Sequence, residues 1–359
     1  MSARSARRIE AEKYCDSIAS LCRRPVSLME VCGTHTMAIS RFGLRARMPA
    51  ALRLISGPGC PVCVTPCEQL DQAIAMAREP GVSVVSFGDM LRVPGSTSSL
   101  ERERAGGRDV RIVYSPFDAL KLAIERPKTI VVFIGIGFET TIPTVAATLV
   151  RAATMGVRNF FVLPAFKLVP PAMETLVAED ASRIDGFICP GHVSVIIGSV
   201  PYEPLAAKFK MPCVVTGFEA LDILEGVTML LEQIAQDRSE VEVQYRRAVP
   251  REGNPTALAA MWRVFRRSDA YWRGIGSIPG SGLELTGDYV AFDARSRVLV
   301  GISQAADLPP GCSCGEVMRG LLSPNECSLF GKACVPSHPV GPCMVSSEGA
   351  CAAYFRYGE

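Results

Sequence analysis

The chain has 359 residues, 48 % of them apolar, a net charge of +2 and no long run of one sign. That length and composition support two or three globular domains and argue against a disordered chain. The interspersed charge offers nothing that would attract nucleic acid or a membrane surface. Mean hydropathy is slightly positive, yet no apolar stretch approaches the roughly 20 residues of a membrane helix, and "TIVVFIGIGF" has the length of a buried strand. Arg4 to Arg8 reads as a frayed terminus without the apolar region of a secretory signal. A soluble, cytoplasmic protein is expected. In a reducing compartment, fourteen cysteines then point to metal or redox chemistry and not to a disulfide framework.

In chain order, continuous β-branched runs predict strands at 27–31, 52–56, 82–87, 110–114, 129–135, 159–163, 184–189 and 212–216. Helical patterns fall near 66–79, 116–126, 143–155, 168–179, 202–210 and 220–236. Continuous apolar runs suit parallel strands covered on both faces, and their alternation with helices predicts an α/β fold. The expected architecture is two doubly wound, Rossmann-like α/β domains, 1–125 and 126–245, facing a cleft. A small, loop-rich, cysteine-rich domain follows over 246–359. Polar and Gly-rich segments follow the strands: "CGTHT", "GPGCPVC", "GDMLRVPGS", "IGFETT", "PGHVS" and "GFEALD". Ligands of open parallel sheets bind at those strand ends. "GFETT" and "GFEALD" leave their strands alike, a weak internal echo. Past about residue 250, Gly, Pro, Ser and Cys dominate, and a module of that kind needs a metal centre to supplement its core.

The chemistry-bearing residues sit in these segments. Six cysteines, Cys312, Cys314, Cys327, Cys334, Cys343 and Cys351, crowd the last fifty residues. Four thiolates suffice for an iron–sulfur centre, and the spacings are too irregular for an ordinary zinc site. Cys60 and Cys63 form a C-x-x-C pair, read as a redox dithiol at the N-terminus of a helix opening near Pro66, which would acidify one thiol; a chance pair is the plain alternative. Cys67 could equally be core. Cys32 and His35 in "CGTHT" could hold a transition metal or form a proton-coupled nucleophile, against a simply buried histidine. Glu139 in "GFETT" is a cleft acid or a helix-start group near Thr141 and Pro143; with no third glycine the segment is not a dinucleotide fingerprint. His192 in "PGHVS" sits at another strand end.

Taken together, "CGTHT", "SGPGCPVCVTP", "FGDMLRVPGS", "YSPFDAL", "GFETT", "PGHVS", "GFEALD", "CGEVMRG" and "MVSSEGACAAYFRY" resemble the HypD family of [NiFe]-hydrogenase maturation proteins, collinearly from about Glu30 to the C-terminus. The resemblance implies a scaffold and redox protein that, with the HypC chaperone, assembles an iron bearing two cyanides and a carbonyl, Fe(CN)2CO. HypE, charged by HypF, brings the cyanides, and the product passes to the hydrogenase large-subunit precursor. It also implies that Cys32 holds the iron, with His35 nearby, and that Cys60 and Cys63 are a redox pair. The C-terminal module is similar to that of ferredoxin:thioredoxin reductases, with a [4Fe–4S] cluster on Cys314, Cys327, Cys334 and Cys351 and a further pair at Cys312 and Cys343. Competing readings are a free-standing iron–sulfur thiol/disulfide oxidoreductase and a zinc-stabilised binding module.

Overall fold

The computed structural model describes residues 3–179, 184–301 and 308–358. Two parallel sheets carry the fold. One has the order β2-β1-β7-β8-β9, built from β1 (Val26–Glu30), β2 (Leu52–Ser56), β7 (Gly186–Pro190), β8 (Cys213–Thr216) and β9 (Val241–Val243). The other has the order β4-β3-β5-β6, from β3 (Val82–Ser86), β4 (Val110–Ile112), β5 (Ile130–Gly137) and β6 (Phe160–Phe166). Their central strands are almost wholly buried, β3 and β6 at every residue, as continuous apolar runs require when helices cover both faces; the edge strands β4 and β9 are more open.

The sheets do not follow the expected boundary at 125/126. The chain lays down β1 and β2, leaves to build the whole second sheet, then returns to add β7 against β1, with Met29 opposite Phe187. β3 and β4, expected with β1 and β2, pair instead into the sheet of β5 and β6. Strand propensity is blind to which sheet a strand joins. That choice is made by contacts more than a hundred residues apart.

The helices fall close to their predicted places, at Cys67–Arg78, Pro116–Glu125, Ile142–Thr154, Val169–Ala178, Glu203–Phe209 and Ala220–Ala235. Three elements depart from expectation. The N-terminal segment is a helix, α1 (Ala3–Leu21), packed on the 220–235 helix with Ile18 fully buried. α2 (Gly33–Arg41) starts directly after Cys32. The Gly-rich stretch after 264 contains an antiparallel hairpin, β10 (Phe265–Trp272) and β11 (Gly276–Leu285), bulged between Ser268 and Ala270. Trp272 anchors it, fully buried, donating from Nε1 to Ser281 Oγ at 2.8 Å and stacking on Phe138 at 5.9 Å.

The cysteine-rich C-terminus is no free-standing module. Cys314, Cys334, Cys343, Met344 and Cys351 share one apolar core with Met29, Val31, Cys60, Cys63 and Val64. Val345, next in sequence, belongs to the core of the second sheet. The short helix Pro342–Val345 therefore bridges the two layers. Among the described residues no helix is long and apolar enough to cross a membrane.

The strand-end loops of β1 and β2 are zipped together. Gly57 N donates to Glu30 O at 2.7 Å and Gly33 N to Gly59 O at 2.8 Å. A Cβ at Gly59 would fall on the backbone of Cys32 and Val31. We expect Gly59→Ala to cost about 1–3 kcal/mol in denaturant unfolding, as overpacking does. Gly88→Ala, whose methyl would meet only Ile112 at 3.9 Å, is the control and should cost much less. Equal costs would show that the loops separate freely.

Candidate functional site

Cys32 ends the β1 loop and precedes α2, its backbone extended. The residue is 8 % exposed. It accepts hydrogen bonds from the backbone amides of His35 and Thr34, in the first turn of α2. Burial outweighs these, and with the carboxyls of Glu348 and Glu30 nearby the thiol is pushed up to about 12. Glu30, absent from the sequence reading, is fully buried. It accepts from Cys32 N at 3.0 Å and Thr36 Oγ at 2.5 Å, and burial raises it to about 7. Glu348, also missed, accepts from Thr34 Oγ at 3.1 Å and is raised by burial. Long-range placement alone makes these carboxyls part of the site, so no local signal marked them.

The His35 ring turns away from Cys32. Its Nε2 lies 2.9 Å from both Gly217 O and Thr216 Oγ, at the end of β8. A neutral ring donating Nε2–H to Gly217 leaves Nδ1 as a buried acceptor without a partner among the described residues. Burial lowers the ring to about 4. Phe218 stacks on His35 at 4.6 Å and on His192 at 3.9 Å, so the two histidines flank one phenylalanine. Phe218 went unread, although the echo between "GFETT" and "GFEALD" pointed to it: Phe138 holds the equivalent place and stacks on Trp272.

Cys60 caps a four-residue helix, α3 (Pro61–Val64), its Sγ accepting from Cys63 N at 3.3 Å. The helix after Pro66 is a separate one, α4 (Cys67–Arg78); the expected acidifying helix at the pair is thus only α3. Cys63 is 1 % exposed, and burial pushes its thiol up, opposite to the expected acidification. That thiol lies within hydrogen-bond reach of Cys60 and of Cys343, and contacts Pro342 O at 3.8 Å. Cys67, on α4, donates to Asp71 Oδ2 at 3.8 Å.

Five thiols, those of Cys312, Cys314, Cys327, Cys334 and Cys351, line a narrow cavity with Leu329, Phe330 and Met344. Cys343 stands outside that lining. Cys343 lies within hydrogen-bond reach of Cys314, Cys351 and Cys63, and Cys312 of Cys314. Among the described residues no three His, Cys, Asp or Glu side chains are grouped to hold a metal ion. The thiols ring a cavity instead of converging on a point, a donor set that suits a multi-iron cluster better than one zinc ion.

Glu139 is placed elsewhere. Its Oε1 accepts from Val169 N at 3.0 Å, and its surroundings are the helices at 169–178 and 255–264. Thr141 does precede the helix that carries Pro143, without a side-chain cap bond.

Fold and site together define a two-sheet α/β protein with buried thiols at the strand ends and a thiol-lined C-terminal cavity. The HypD family model, described as "Hydrogenase formation hypA family", matches residues 9–358. "Hydrogenase maturation factor HypD" of Rhodobacter capsulatus is 46 % identical over 353 residues, covering 97 % of this chain and 94 % of that protein. The protein of the same name from Escherichia coli (strain K12) is 48 % identical over 337 residues, 94 % of this chain and 90 % of its own length. The chain belongs to the HypD family of hydrogenase maturation factors.

The His35 environment can be checked directly. A folded value near 4 below an unfolded value of 6.5 means the unfolded chain binds the proton more readily. The contribution of His35 to stability is therefore complete above pH 6.5 and is lost as pH falls toward 4. In a pH titration by NMR we expect the His35 ring signals to stay fixed from pH 8 to about 5. A midpoint near 6.5 would contradict this burial.

Proposed function

We propose that this chain is the scaffold on which the Fe(CN)2CO group of [NiFe]-hydrogenase is assembled, with electron pairs moving by thiol–disulfide exchange beside it. The carrying observation is the reach of Cys63 to both Cys60 and Cys343, which joins the strand-end pair to the C-terminal thiols. In this reading a HypC-type chaperone shares the iron with Cys32, HypE brings the cyanides after charging by HypF, and the large-subunit precursor receives the product.

Cys32 is the iron-holding thiol. Burial and two carboxyls keep it protonated while it is free. An iron cation offsets that penalty, so the thiolate forms as the metal binds and the proton leaves. Glu30 holds the amide of Cys32 and so fixes the direction of the sulfur.

The exchange balances among four cysteines. The Cys343 thiolate attacks Cys63 of a Cys60–Cys63 disulfide, and Cys60 leaves as thiolate, steadied by Cys63 N. Cys314 then attacks Cys343 of the mixed disulfide and releases Cys63. Cys314 and Cys343 lose two protons and become a disulfide; Cys60 and Cys63 gain two protons and become dithiol. With Cys314 committed here, Cys312, Cys327, Cys334 and Cys351 remain as the four ligands of a [4Fe–4S] cluster, which would supply or accept single electrons when bound. A free-standing disulfide reductase would leave the carboxyl-flanked Cys32 without a task.

Two outcomes test the reading. Cys32→Ala, purified anaerobically with its chaperone, should keep the visible iron–sulfur absorbance and lose the cyanide and carbonyl infrared bands; bands at wild-type intensity would sink the assignment. Mild oxidation of a Cys60→Ser, Cys314→Ser double variant should trap a Cys63–Cys343 disulfide, identified by peptide mass spectrometry. A Cys63–Cys312 product in its place would overturn the proposed order.

A further inference from the structure

Glu139 takes no part in the thiol chemistry, and the cavity beside it stands independently of that reading. The residue is 2 % exposed. Oε1 is held by Val169 N, whereas Oε2 has no hydrogen-bond partner among the described residues. It lines a cavity of about 200 Å³, whose walls are largely apolar, including Leu168, Pro170, Ile197 and Leu258. Arg267 of β10 and Trp262 also line it, the guanidinium 5.6 Å above the indole ring. Trp262 is 40 % exposed. Among the described residues no carboxylate forms an ion pair with Arg267, although its charge acts on Glu139. A buried polar atom without a partner costs free energy unless something satisfies it.

We propose that this cavity binds a small organic monocarboxylate with an apolar body, the acid form of Glu139 donating a hydrogen bond to it and Arg267 pairing with its charge. A cationic ligand would meet Arg267. A neutral amide would satisfy Glu139 and leave Arg267 unused. A carboxylate uses both, and the apolar walls take its hydrocarbon part. The space equals about seven liquid waters at about 30 Å³ each, below the range of drug-sized pockets, so the ligand has the size of isovalerate or benzoate.

Burial raises Glu139 to about 7, against the pull of its own amide, of the Val169 amide and, least, of Arg267. Tyr202, from the turn at 200–202, is fully buried and held well above its ordinary range, so it stays neutral. The helix at 169–178 presents the Val169 amide; Ile197, Leu258, Met261 and Trp262 from the neighbouring helices carry no charge. A second carboxylate beside Glu139 favours its protonated form further. Binding therefore takes up a proton, and affinity falls as pH rises through about 7.

The test titrates isovalerate into the full-length protein by calorimetry and ligand-observed NMR. Binding should be about tenfold weaker at pH 8 than at pH 6, since the acid fraction of a group near 7 falls about tenfold over that interval. Isovaleramide, the neutral isostere, should bind at least about tenfold more weakly than isovalerate at pH 6. Glu139→Gln keeps a donor and should abolish the pH dependence while retaining binding. Arg267→Met, at an exposed position, should weaken binding about tenfold or more. No saturable binding to folded wild-type protein, equal binding of the amide, or an unchanged pH dependence in Glu139→Gln would each overturn the proposal. Should Glu139→Gln fail to fold, the wild-type pH profile, the amide comparison and Arg267→Met still decide it.

Discussion

The close approach of two strand-end loops governs the rest of this molecule. The backbone of Glu30 to Gly33 and that of Gly57 to Gly59 exchange two hydrogen bonds, and Gly59 lies so near Cys32 that a single methyl has no room. Parallel neighbours end on the same side of a sheet, so β1 and β2 deliver their loops to one crevice. With Gly59 against Cys32, residue 60 must follow beside it. The iron-holding candidate and the dithiol are thus placed by backbone geometry before any side chain acts.

The same crevice explains why the thiols are quiet. Cys32, Cys60, Cys63 and Cys343 are almost excluded from water. Burial disfavours the charged form, and it is the leading cause of the raised values at Cys32 and Cys63. A thiolate forms in such a site only when something compensates the lost hydration; in the function proposed above, that is an iron cation at Cys32 and disulfide exchange at Cys63 and Cys343. Free thiols held in this way resist adventitious oxidation, because the thiolate is the reactive species.

The C-terminal segment belongs to the site as much as the sheets do. Pro342–Val345 sends Cys343 and Met344 into the core of the first sheet and Val345 into that of the second. Arg92 donates to Val345 O at 3.1 Å and Glu348 meets Thr34, so the segment touches the strand-end loops of both layers. Its cysteines contribute apolar packing alongside their chemistry, which removes the need for an isolated mini-core.

The sequence by itself determined the strands, most helices and the residue types at the strand ends. Period, β-branching and Gly-rich breaks are local properties, and the local backbone obeys them. The α/β class and the placement of Cys32, Cys60 and Cys63 at strand ends were legible for that reason. Tertiary structure decided that the second sheet is inserted between β2 and β7, because strand pairing is chosen across long separations. It alone turned the His35 ring toward Thr216 and Gly217, placed Glu30 and Glu348 around Cys32, and brought Cys343 within reach of Cys63, Cys314 and Cys351. It also lowered the expected acidity of Cys63, since burial in a shared apolar core outweighs one short helix end, and burial is a property of the fold that no stretch of sequence carries alone.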